Sequence, residues 1–263
     1  MTVLIKCSKQ SKKTNEDFFK RKDKELTNLD WAKWAGWFDT DGDFKLAKKN
    51  LQIQVRLRLK DKEPVELFAN TFETSLSYEE FKTTTPVEKN GKQRNYTAKM
   101  YISVLGGEKA VWFIKNIKKY IYQKTFHVKK VCNVKNISYI PYTHELTYDE
   151  LIKYLSSALQ GDGSIYDNGE SRKKGYMYLY SSNINYLNYM IKILRKNNIY
   201  FGDPSVVRIY VKNNGEKKNM YQIRLMAEQN DLIPLYEKII PFIEMDRKRI
   251  NAENTLEWLK SKQ

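Results

Sequence analysis

The chain has 263 residues, 41% of them hydrophobic and 13% aromatic, enough for one large core or two ordinary ones and too apolar for a disordered tail. Lys and Arg number 47 against 31 acids, a net charge of +16, which favours a polyanionic partner because neutralising phosphates releases condensed counterions. The same balance fits a ribosomal or membrane-surface protein, but no apolar run approaches the roughly 18 residues needed to cross a bilayer.

Residues 1–25 are polar and basic after a short apolar start, Val3-Leu4-Ile5, and lack the apolar core of a secretory signal. They are expected to form a loosely ordered basic arm. Cys7 and Cys132 are too few for a disulfide framework and lack metal-ligand spacing, so both are expected as free thiols of an intracellular protein. Thr27-Asn28-Leu29-Asp30 opens a helix with a weak capping box, and Thr147-Tyr148-Asp149-Glu150 opens another with a full one. Each helix is apolar, carries small residues on one face and stops at Asp-Gly: Trp34 to Gly42 in the first, Leu155 to Gly163 in the second. Asp41 and Asp162 lie 121 positions apart, close to half the chain, which marks a duplicated domain.

Residues 51–60 alternate strictly, as a strand does. Leu51, Ile53, Val55, Leu57 and Leu59 face a core, and Gln52, Gln54, Arg56, Arg58 and Lys60 face outward with no acid among them. A helix over 63–72, a hairpin about Asn90-Gly91, a return strand over 97–104 bearing Lys99 and a helix over 108–122 follow. Segment 133–145, holding Pro141, reads as a linker. Beyond it come a strand with alternating Tyr176, Tyr178 and Tyr180, and a helix over 183–197. Strands 206–212 and 220–226 then flank a turn at 213–216, and helices over 231–240 and 246–260 close the chain. Arg208, Tyr210, Lys212, Gln222 and Arg224 are the outward residues of this half. Gln and Arg are the side chains that read adenine and guanine edges, whereas Arg172, Lys173 and Lys174 in a turn suit phosphate. The five tryptophans read as core, and His127 and His144 receive no role.

If the two Asp-Gly helices pack through their small residues, Asp41 and Asp162 meet. Two carboxylates forced close are costly unless divalent cations neutralise them, and Mg²⁺ suits them because it takes oxygen ligands and keeps waters and phosphate oxygens. An Asp-Gly stop is also a common way to end a helix. Asp39 to Asp43 hints at a calcium loop, which fails because Asn50 stands where a Glu is needed. The residues alone leave open a duplicated α/β nucleic-acid binder with or without a metal nuclease site.

Trp34 to Gly42 resembles the LAGLIDADG motif of homing endonucleases, matching at Ala35, Gly36, Asp39, Asp41 and Gly42. Leu155 to Gly163 resembles a second, degenerate copy that keeps Leu155, Asp162 and Gly163, with Ser157 in place of the usual Gly and Gln160 in place of the usual Asp. The resemblance covers the chain from Asn28 onward. It implies an α+β fold of two pseudo-symmetric αββαββα lobes, 26–132 and 146–263, each with an antiparallel, saddle-shaped DNA-binding sheet, packed through the two motif helices. It implies Asp41 and Asp162 as catalytic acids and, with Thr40 and Gly161, as a site for Mg²⁺ that Ca²⁺ or Mn²⁺ could fill. It places a basic residue near the start of each lobe's last helix, here Lys124 and Arg247. The function implied is site-specific cleavage of double-stranded DNA by a monomer at a long, non-palindromic target. An intron RNA maturase and a non-catalytic DNA-binding regulator on the same fold are the alternatives. Heavy use of Lys, Asn, Tyr and Ile points to an AT-rich genome, of an organelle, a phage or a bacterium.

Overall fold

The structure is a computed structural model that describes residues 4–47, 52–84, 95–165, 176–211 and 216–262. Two capping boxes organise it. Thr27 and Asp30 cap helix α2 (Asn28–Thr40) reciprocally, the Thr27 N–H donating to the Asp30 carboxylate at 2.9 Å. Thr147 and Glu150 do the same for α6 (Tyr148–Gly161), again at 2.9 Å. Both boxes satisfy backbone donors that a helix start otherwise leaves orphaned.

Behind each motif helix the chain builds the same unit. In the first lobe, strands β1 (Gly42–Ala47), β2 (Gln52–Leu59), β3 (Leu76–Thr84) and β4 (Asn95–Gly106) form an antiparallel sheet in the order β1-β2-β4-β3. Helix α3 (Lys62–Phe72) joins its two hairpins, and α4 (Gly107–Ile117) and α5 (Thr125–Val134) follow. In the second lobe, β5 (Gly163–Ile165), β6 (Met177–Ser181), β7 (Ser205–Val211) and β8 (Lys217–Arg224) repeat the order as β5-β6-β8-β7. There α7 (Ile184–Lys196) joins the hairpins, and α8 (Leu232–Ile239) and α9 (Asp246–Lys260) close the chain. Period-two alternation accounts for the sheets: Ile53, Val55, Leu57 and Leu59 are buried while Gln52 and Gln54 are exposed. The expected tips at Asn90-Gly91 and 213–215 lie outside the described residues, as do Leu51 and the turn basic residues Arg172, Lys173 and Lys174.

Three expectations differ from the structure. Residues 4–25 are not a loose arm but helix α1 (Leu4–Glu25), whose Phe18 is buried and whose Phe19 stacks on Trp112. The Trp112 indole also donates to Asp23 at 2.9 Å. Two adjacent aromatics, with ion pairs from Arg21 and Lys22 to Glu73, dock the described side-chain face of the helix, so no periodic signal marks it. The helix expected over 108–122 stops at Ile117 and passes through a 3-10 turn, Lys118–Tyr120. Buried Asp39 takes the N–H groups of Tyr122, Gln123 and Lys124, which a continued helix would hold internally. The expected linker begins later, because α5 runs to Val134, and it is stitched down: Tyr142 Oη donates to the Tyr122 carbonyl and Tyr122 Oη to the His144 carbonyl, each at 2.9 Å.

The core of the first lobe is aromatic. Trp34 and Phe38 of α2 meet Phe68 and Phe72 of α3, and Phe113 of α4, edge to face or tilted. The opposite side of α2 packs against α6. A Cβ on Gly36 would stand 2.3 Å from the Tyr154 carbonyl oxygen and 2.9 Å from Ser157 Cβ, so only glycine permits this approach. Ser157 does not loosen the crossing, but its hydroxyl is buried without a partner. Gly36→Ala is therefore expected to cost about 1–3 kcal/mol by overpacking. Ser157→Ala, which removes an unpaired hydroxyl at nearly constant volume, should be neutral or stabilising. Urea unfolding of the two variants checks the pair, and equal destabilisation would contradict this packing.

Candidate active site at the paired helix ends

The motif helices converge at their C-terminal ends, where Asp41 and Asp162 are the cap residues. Gly161 makes the convergence possible: a Cβ there would lie 2.3 Å from Asp41 Oδ2 and 2.0 Å from Thr40 Oγ1. The acidic position two residues earlier serves structure. Asp39 is fully buried and accepts from three backbone N–H groups and from Tyr154 Oη at 2.6 Å. Burial nonetheless pushes its carboxyl up to about 6. Gln160 does the corresponding work in the second lobe: its Oε1 accepts from the N–H groups of Glu244 and Met245 at 2.6 and 2.9 Å. The change from Asp to Gln keeps the acceptor and removes the buried charge.

Asp41 is half-buried. Burial and the neighbouring Asp162 carboxylate push it up to about 6, against the pull of Lys124, of the Thr40 hydroxyl and of Lys248. Asp41 Oδ2 is buried with no hydrogen-bond partner. Asp162 is also raised by burial, opposed by the Gln123 amide that donates to it at 3.3 Å and by the same two lysines. Lys124 Nζ donates to the Thr40 carbonyl at 2.7 Å and to the Gly42 carbonyl; Lys248 Nζ donates to the carbonyls of Leu159 (2.8 Å), Gly163 (2.9 Å) and Gln160. Each lysine thus satisfies carbonyls that a helix end leaves open and sets a cation at the negative end of its dipole. Burial lowers both ammonium groups, that of Lys248 to about 8.

Arg247, the residue expected here, points elsewhere. Its side chain is mostly exposed and paired with Asp61 at 2.8 Å, whereas Lys248, one position on, turns inward to the carbonyls at the end of α6. The register slipped because Lys124 is the cap residue of α5 while Lys248 lies inside the first turn of α9. Gln123 also reaches the acid pair, at Asp162, and carried no sequence signal. Thr40 is engaged within the chain, its hydroxyl donating to the Gly36 and Trp37 carbonyls and its own carbonyl accepting from Lys124. Gly161 offers space and no side chain.

The polar sheet faces are less free than their sequence implied. Arg56 pairs with Asp43 of the neighbouring strand at 3.0 Å, and Arg58 with Glu79 at 3.3 Å, so cross-strand acids partly neutralise a face that has none in sequence. Gln52, Gln54 and Lys60 are exposed, and Lys99 lies 3.8 Å over the Tyr78 ring. In the second lobe Arg208 contacts Tyr210, Arg224 lies over Tyr176, and Gln222 is half-buried. Lys212 lies outside the described residues. No described helix is long and apolar enough to cross a membrane.

The molecule is two αββαββα lobes joined through glycine-packed helices whose Asp-Gly ends meet. This is a LAGLIDADG-type fold. No protein-family model and no curated protein matches the sequence. Among solved structures the chain is similar to the homing endonuclease I-WcaI bound to its DNA recognition sequence (15% identity, TM-score 0.45, covering 88% of this chain and 91% of that one). It is similar to I-DmoI in complex with DNA and Mn (11%, TM-score 0.40, 81% and 96%). It is also similar to full-length DUF199/WhiA from Thermatoga maritima (12%, TM-score 0.43, 90% and 61%). The fold assignment rests on the chain's own helix pair and sheets.

An acid raised in the folded state binds its proton more tightly there than in the unfolded chain. Its stability contribution is present below the unfolded value and is lost as pH rises through the folded one, here between the ordinary carboxylate range and about 6. Asp41→Asn removes that ionisation. Relative to the wild type it is expected to be more stable by on the order of 1–3 kcal/mol at pH 8, with the gap closing towards pH 4. Thermal unfolding of both proteins across this range is the check; a pH-independent difference would contradict it.

Proposed function

We propose that the protein is a divalent-metal-dependent endonuclease that cuts both strands of double-stranded DNA at a long, non-palindromic site. The observation that carries this reading is the pair Asp41 and Asp162, brought together by two buried helices, with one carboxylate oxygen orphaned, half-buried Lys124 on one side and buried Lys248 on the other. Structural acids are normally hydrogen-bonded when buried, so an orphaned oxygen beside a second raised carboxylate marks a place for something positive.

The donor set fits Mg²⁺ or Mn²⁺. Both acids offer hard oxygens. Among the described residues no cluster of three or more His, Cys, Asp or Glu could hold a metal, so the remaining ligands would come from water and phosphate. A cation bound there would activate water and stabilise the leaving oxygen of a phosphodiester. The chain's own residues do the rest. Lys124 and Lys248 keep positive charge at the helix ends, where phosphate charge would accumulate. The outward residues of β2, β7 and β8 supply donors suited to groove edges, and +16 of net charge supplies the non-specific attraction. The likeness to the DNA-bound I-WcaI and the DNA- and Mn-bound I-DmoI agrees with such a partner. Because the outward residues named for the two lobes differ, the target halves should differ too, and one chain should suffice for both.

A cleavage selection from a randomised DNA library tests the reading. With Mg²⁺ a double-strand cut at one asymmetric site is expected. With Ca²⁺, or with Asp41→Asn or Asp162→Asn, binding should persist without cutting; full activity in either variant would sink the acid pair. Lys248→Met should lower the cleavage rate on the order of 100-fold, since it removes a positive charge held at the end of α6 beside the acid pair. Arg247→Ala should change it little, and the opposite ranking would restore Arg247 to the site.

A further inference from the structure

One half of the acid pair has a partner that the other lacks. Gln123 belongs to the first lobe, in the loop entering α5, yet its Nε2 donates to Asp162 Oδ2 of the second lobe at 3.3 Å. Its Oε1 is buried with no hydrogen-bond partner. Both lobes fix its backbone: the N–H donates to Asp39 at 2.9 Å, and the carbonyl accepts from Asn183, which caps α7, at 3.4 Å. The side chain is therefore placed, not loosely disposed.

The matching position in the second lobe is Glu244, whose N–H donates to Gln160 as that of Gln123 donates to Asp39. Its side chain is committed away from the acids. Glu244 Oε1 pairs with Lys33 Nζ at 3.0 Å, and Oε2 accepts from Gln160 Nε2 at 2.9 Å. Asp41 consequently keeps its bare oxygen, while Asp162 is held by an amide whose own oxygen is unspent.

We propose that Gln123 is a positioning residue for one half of the site: it orients the Asp162 carboxylate and brings a neutral amide oxygen beside it, so that the two acids hold divalent cations unequally. The consequence for a nuclease is unequal rates on the two DNA strands. The inference rests on the metal-site reading above. Its chemistry is that of an outer partner that fixes a ligand's rotamer, an effect commonly worth 10–100-fold in metal affinity. An amide serves where a third carboxylate would add negative charge beside two acids already brought together.

Mn²⁺ alone, titrated into the full chain and followed by electron paramagnetic resonance, tests this without DNA. The wild type should show two classes of site. Gln123→Met, equal in length but without hydrogen bonds, should weaken one class on the order of ten-fold and leave the other unchanged. Gln123→Glu should restore the lost affinity, since it returns an oxygen ligand, and a packing role would not give that rescue. Thermal unfolding of both variants separates misfolding from lost ligation. On the selected DNA site, strand-resolved nicking should slow on one strand only in Gln123→Met. Equivalent sites in the wild type, uniform weakening of both, no Mn²⁺ binding, or equal slowing of both strands would overturn the inference. Unequal Mn²⁺ sites in a chain that cuts no DNA would sink the nuclease reading while leaving Gln123 its role.

Discussion

The close crossing of α2 and α6 is the constraint from which the rest follows. Gly36 lets one helix backbone reach the other, and Gly161 lets the Asp41 carboxylate lie against the end of the partner helix. Aromatic packing behind α2 and the buried Tyr154–Asp39 bond across the crossing hold the two helices at that spacing. Two half-buried carboxylates meet there, and the fold bears that cost locally. Lys124 and Lys248 at the helix ends offset part of it, but without closing the bare oxygen of Asp41.

Pseudo-symmetry is kept in the order of the elements and in the sheet topology and relaxed in the side chains. Asp39 and Gln160 both organise the loop that enters a closing helix, yet only one carries charge. Lys124 and Lys248 both clasp helix-end carbonyls, from different turns of their helices. Gln123 and Glu244 share a backbone bond and part company beyond Cβ. A duplicated framework of this kind fixes where groups must stand while leaving each half free to differ in what stands there.

Much of this was legible in the sequence because it is periodic or local. The capping boxes, the alternation of residues 52–59 and the Asp-Gly stops each declare themselves within a few residues. The separation of the two acids along the chain announced the duplication. What was illegible depends on partners far away in the chain. Arg247 and Lys248 are adjacent basic residues, and only the start of α9 decides which one reaches inward. Asp43 and Glu79 lie on other strands than the arginines they neutralise, so no reading of β2 alone could find them. Helix α1 is held by Phe18 and Phe19 against Trp112, a contact between residues more than ninety positions apart that leaves no pattern in either segment.

The division of contacts along the chain has a kinetic side. Helices α1 to α5 and their sheet are contained in the first 134 residues, so one lobe can collapse on contacts of its own before the other is made. The α2–α6 crossing instead joins segments 121 positions apart, and loop closure of that order is a late event in folding. Asp41 and Asp162 lie in different lobes, so neither lobe alone holds the pair. A nascent chain, or a fragment released by proteolysis between the lobes, carries one acid and a basic surface. It could adhere to nucleic acid but would have no assembled pair with which to break it, so the proposed activity would be withheld until synthesis and folding are complete.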